Sequence, residues 1–192
     1  NLILAFFILP ETKNEKSLPS KREIIPIQQF KASSQYPNVQ SIFLITLFYT
    51  IGFGLMEQSI ALFIEHVWVD LTLSSSERIA LGAKYTGIFL VIIGIVSSII
   101  QGGLIGKLTT KFGSIQLIRW GIVFTSISIV LIPFMSRFSQ FWYMLLLAPI
   151  MALGTAILNP SKATLLSLST PPEEQGGIMG INQSFAALGR VI

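Results

Sequence analysis

Residues Ser41 to Ile64 read SIFLITLFYTIGFGLMEQSIALFI, and Glu57 is the only charge in those 24 residues. About twenty mostly apolar residues suffice for a helix to cross a ~30 Å hydrocarbon core. A carboxylate within such a helix is expensive, so it faces a polar cavity or a partner and marks a pathway. The stretch therefore predicts a membrane-spanning helix that carries a titratable group inside the bilayer.

Composition agrees. Hydrophobic residues make up 52% of the 192 and charged residues 11%, against a charged share of about 25% in soluble domains. The net charge is +4, yet the cations sit in short connections between apolar runs. That is the pattern of membrane topology rather than of a phosphate-binding face, so no nucleic-acid partner is expected. There is no cysteine, which removes disulfides, thiol catalysis and cysteine-ligated metals.

Three further long apolar segments follow, Tyr85 to Gly106, Ile115 to Met135 and Phe138 to Leu168, and a fifth runs from Gly176 to the last residue, Ile192. None alternates as barrel strands do, so the expected fold is all-α, a polytopic bundle of transmembrane helices. The opening run Asn1 to Leu9 is too short to span and reads as the end of a truncated helix. Residues 10–40 carry Pro19, Pro26 and Pro37 with five basic residues, the composition of a linker, with a short amphipathic element at Ile24 to Phe30. Residues 41–192 form a partial bundle. The whole reads as an internal piece of a longer polytopic protein.

Orientation follows from Lys and Arg. Lys13, Lys16, Lys21, Arg22, Lys31, Lys107, Lys111, Arg119 and Lys162 fall on one set of connections, and Arg78, Lys84 and Arg137 on the other. The richer set is expected to be cytoplasmic, which makes 10–40 a cytoplasmic linker. Small residues recur every fourth position, at Gly94, Ser98, Gly102 and Gly106 in the second segment and at Ala148, Ala152 and Ala156 in the fourth. Such stripes let helix backbones approach closely, as static packing or as a sliding surface.

The connection after the second segment reads Gly106-Lys107-Leu108-Thr109-Thr110-Lys111-Phe112-Gly113. It resembles the signature loop of the major facilitator superfamily, Gly-x-Leu-x-Asp-Arg-x-Gly. Gly106, Leu108 and Gly113 match, Lys111 stands for the Arg, and Thr110 replaces the Asp, as in the weaker second-half copy between helices eight and nine. The Leu9-Pro10-Glu11-Thr12 ending is similar to the close of helix six in drug:proton antiporters of the tetracycline type. Gly154, Asn159-Pro160-Ser161, Pro171-Pro172, Gln175-Gly176, Gly180, Ser184 and Leu188-Gly189-Arg190 resemble the run from helix ten into helix eleven there.

The resemblance implies most of the carboxy-terminal six-helix half of a twelve-helix transporter in the plasma (inner) membrane, its amino-terminal half lying elsewhere in the same protein. It implies a substrate site between two rocking half-bundles and proton-coupled export of a small amphipathic or drug-like molecule. Gly106, Lys111 and Gly113 would form a cytoplasmic gating loop. The expected partners are the lipid bilayer, a small-molecule substrate and protons; no cofactor, metal or catalytic activity is implied.

Counted from Ser41 at ~1.5 Å per residue, Glu57 lies about 24 Å in, and Arg190, counted from Gly176, about 21 Å in on a helix running the same way. These depths predict that Glu57 and Arg190 face one central cavity, and pairing across it is one arrangement. Gln58, Asn182 and Gln183 are candidates for substrate contact or for ordinary interhelical hydrogen bonding. His66, with Glu65 and Asp70, suggests a metal only superficially, since all three sit at a membrane boundary beside Trp68. Pro149 and Pro160 are expected to kink or end the fourth helix. A facilitator or symporter of the same fold would use Glu57 for substrate, and a non-transporting scaffold would use only the small-residue stripes.

Overall fold

The computed structural model of the protein describes residues 30–31 and 33–191. The truncated helix expected over 1–9, the linker as far as residue 29 and nearly all of the element at Ile24 to Phe30 lie outside them. Asn38, in the left-handed region at φ 68°, leads into α1 (Val39–Trp68). Asparagine tolerates that conformation better than most side chains.

α2 (Ser75–Ile99) begins ten residues before the apolar segment at Tyr85. The Ser74 backbone N–H and hydroxyl both donate to the Glu77 carboxylate, at 3.1 and 2.6 Å, and so organise the first turn. An apolar run marks what suits lipid, whereas capping marks where a helix starts. A π-helical segment, Ile100–Leu104, widens the helix at Gly102 and Gly103 before α3 (Ile105–Phe112). Gly113, at φ 77°, makes the break that leads to α4 (Ser114–Leu131), a conformation that glycine adopts without steric cost.

Pro133 opens a 3-10 turn to Arg137, and a short α5 (Trp142–Leu145) precedes α6 (Leu147–Ser169). Pro160 lies inside α6 without ending it. α6 closes before Pro171, and α7 (Pro172–Val191) starts on a proline, whose missing N–H costs nothing in a first turn. The Gln175 side-chain amide donates to the carbonyls of Ser167 at 2.9 Å and Thr170 at 3.3 Å, so the end of α6 is capped from α7.

Among the described residues four helical stretches are long and apolar enough to cross a membrane: Val39–Trp68, Ser75–Phe112, Ser114–Arg137 and Trp142–Ser169. α7 falls short of that standard because Glu173, Glu174, Gln175, Asn182, Gln183 and Arg190 dilute it. The described residues contain no strand.

α6 is the central post, packed on α1, α2, α4 and α7. Ala148, Ala152 and Ala156 are fully buried, so this small-residue stripe is a packing surface. A Cβ added at Gly121 of α4 would lie 2.8 Å from the Leu158 Cβ and 3.0 Å from the Gly154 carbonyl. Gly121 and Gly154 therefore let the two backbones touch, the contact that drives association where lipid is as apolar as protein. At Gly189 of α7 a Cβ would meet the Leu47 carbonyl of α1 at 2.9 Å. The stripe of α2 behaves differently. No described atom lies within 4 Å of a Cβ built at Gly94, Gly102 or Gly106, and Ser98 is exposed.

Candidate functional site

Three helices each turn one polar face toward a shared space. α1 contributes Thr46, Tyr49, Thr50, Phe53, Gly54 and Glu57; α6 contributes Thr155, Asn159, Lys162 and Ala163; α7 contributes Asn182, Gln183, Ala186 and Arg190. Successive members are one, three or four residues apart along each helix, so each set forms a single stripe. The cavity is open on one side, where Glu57, Gln183 and Arg190 are exposed, and its volume is about 470 Å³, within the range of small-molecule pockets.

The structure thus brings Glu57, Arg190, Asn182 and Gln183 together. It does not bring Gln58, which is exposed like Glu57 but lies on the neighbouring face of α1 and is absent from the cavity wall. Glu57 and Arg190 share the cavity without pairing. The one ion pair among the described residues joins Arg78 Nη2 to Glu65 Oε1 at 2.9 Å and ties the start of α2 to the end of α1. The cavity's own polar atoms are undersatisfied, since the Thr46 hydroxyl and the Asn182 carbonyl oxygen are buried without a hydrogen-bond partner among the described residues. Such groups call for water or a ligand.

Lys162 departs from its expected place. It counts among the cytoplasmic cations by sequence, but its side chain is only 6% exposed, inside the bundle. Its ammonium stands 4.7 Å from the centroid of the Tyr49 ring, and it forms no ion pair among the described residues. A cation–π contact supplies about 0.5–2 kcal/mol, while removing an ammonium from water costs several. The ring alone does not offset the burial. A signal was present in the sequence: Thr155, Asn159 and Lys162 recur at helical spacing as a polar stripe.

At the far end of α1, Asp70 accepts hydrogen bonds from the Thr72 N–H at 2.9 Å and hydroxyl at 2.8 Å. With Glu65 engaged by Arg78, no cluster of three metal-ligating side chains forms among the described residues. Trp68 Nε1 donates to the Phe138 carbonyl at 3.0 Å, and the Tyr85 and Phe141 rings stack 4.6 Å apart, an aromatic belt suited to a membrane interface. At the other end, Gly106 and Lys111 lie on α3, Lys111 reaches over the Phe112 ring at 5.2 Å, and Gly113 carries the turn.

The family model described as Major Facilitator Superfamily matches residues 1–192. The chain belongs to that superfamily. As a major facilitator chain it is an integral, multi-pass membrane protein, and its polar cavity lies between the spans containing α1 and α6 and helix α7. The tetracycline resistance protein, class C, of Escherichia coli is 25% identical over 189 residues, covering 98% of this chain and 43% of that protein. The chain therefore spans less than half the length of the curated relative it matches. No solved structure gives a significant match to it.

Proposed function

We propose that this chain is most of the carboxy-terminal half of a secondary transporter in the plasma (inner) membrane, which exports a small amphipathic or drug-like molecule against inward proton flow by alternating access. The observation that supports this most is the polar cavity walled by α1, α6 and α7, with Glu57 and Arg190 on it, in a chain of the Major Facilitator Superfamily. The resistance named for the Escherichia coli relative supports export. The substrate would bind between this half-bundle and an amino-terminal partner half, and the segment from Gly106 and Lys111 on α3 to the turn at Gly113 would gate the cytoplasmic side.

Glu57 is the proposed proton carrier. A carboxylate beside a cation keeps its charge, whereas one shut away from both water and cation favours its neutral form. Rocking of the half-bundles would move Glu57 between such environments and tie proton movement to substrate movement. Asn182 and Gln183 would contact the substrate.

The test is Glu57→Gln in the full-length protein, reconstituted in proteoliposomes under an imposed pH gradient. The expected result is loss of gradient-driven accumulation with downhill exchange retained. Undiminished drive would remove Glu57 from the coupling. Wild-type flux that ignores the pH gradient would favour a facilitator or symporter instead.

A further inference from the structure

Lys162 is the buried group that proton coupling leaves unused. It is 6% exposed, its ammonium lies over Tyr49 on the cavity wall, and no carboxylate among the described residues reaches it. Among the described residues the cavity's ionisable cations are Lys162 and Arg190 and its only carboxylate is Glu57, so two positive side chains face one negative. Beside Lys162, the Tyr49 and Phe53 rings stack 5.5 Å apart at 20° and both line the cavity.

We propose that Lys162 receives an anionic group on the transported molecule, whose flat apolar portion lies against Tyr49 and Phe53. The assignment rests on the cavity being the transport path. It narrows the substrate class to amphipathic anions and to zwitterions carrying an acidic group. Desolvated cations select strongly for an opposite charge, because an uncharged ligand leaves them without a partner.

Equilibrium binding of radiolabelled 1-naphthoate, and of its neutral counterpart 1-naphthamide, to the purified full-length protein tests this. Naphthoate is expected to bind at least about tenfold more tightly than naphthamide, one decade in Kd. Lys162→Gln should abolish that preference, and Lys162→Arg should keep it. Equal affinity for the two ligands in the wild type, or no naphthoate binding at all, overturns the proposal. So does a preference that survives Lys162→Gln, as would follow if an acidic side chain elsewhere in the full-length protein neutralised Lys162. If Lys162→Gln does not fold, as judged by its elution profile, the wild-type preference and its retention in Lys162→Arg decide the matter. Proton-driven flux of the same preparation in proteoliposomes separates the two readings. Flux without anion preference sinks the role of Lys162 alone, whereas anion preference without flux sinks transport and leaves an anion-binding site.

Discussion

Asp70 and Lys162 are both single charged residues, and their surroundings give them opposite fates. Asp70 sits outside the spans, in the turn after α1, where the Thr72 N–H and then its hydroxyl hold the carboxyl below the usual carboxylate range. A folded-state pKa below the unfolded value of about 3.9 contributes stability that is fully present above that value. The contribution is lost as pH falls through the lower, folded-state pKa. The Thr72 amide should therefore stay protected from hydrogen exchange at neutral pH and lose protection on acidification, and Asp70→Asn should weaken the protection at every pH. Unchanged exchange in Asp70→Asn would show that the turn does not depend on this carboxylate. Lys162, by contrast, lines a cavity walled by three helices, with its ammonium over the Tyr49 ring and no ion pair among the described residues.

Among the elements, the α4–α6 crossing is the tightest contact and the α2 stripe the most open, although both are built from small residues. In Gly154→Ala the added methyl would press on the Thr125 backbone nitrogen, 2.7 Å away. Overpacking of that kind costs about 1–3 kcal/mol. Gly94→Ala meets no described atom within 4 Å and gains up to about 1 kcal/mol of helix propensity. Thermal unfolding of the purified protein should thus show a lower midpoint for Gly154→Ala and an equal or higher one for Gly94→Ala. A fall of equal size in both would mean that another helix of the intact protein covers the α2 stripe. Spacing made the α2 stripe and the Ala148, Ala152 and Ala156 stripe of α6 legible in the sequence, but neither which of them packs nor the Gly121–Gly154 crossing. That depends on how far each helix is rotated about its axis, which no count along a single helix contains.

On the scale of the whole molecule, the bundle separates a lipid-facing surface from a polar interior. Leu62 of α1 is 69% exposed and, set among apolar neighbours in a span, faces hydrocarbon or another helix. Gln183 lines the cavity. The chain has no cysteine, so single replacements report access directly. In membranes, Gln183→Cys should react with a membrane-impermeant maleimide and Leu62→Cys should not. Equal reaction at both positions would mean that the polar stripes do not enclose a water-filled space.

Hydropathy and residue type, read along the chain, determined that this is an all-helical membrane protein with a carboxylate inside a span. Transfer into lipid is a property each segment carries by itself. The tertiary structure alone decided that Glu57, Arg190, Asn182 and Gln183 meet on one cavity while Gln58 turns away, and that Lys162 points inward rather than to the cytoplasm. Those outcomes depend on crossings such as Gly121 against Gly154 and Gly189 against Leu47, where close backbone contact between distant segments sets the direction in which each polar stripe faces.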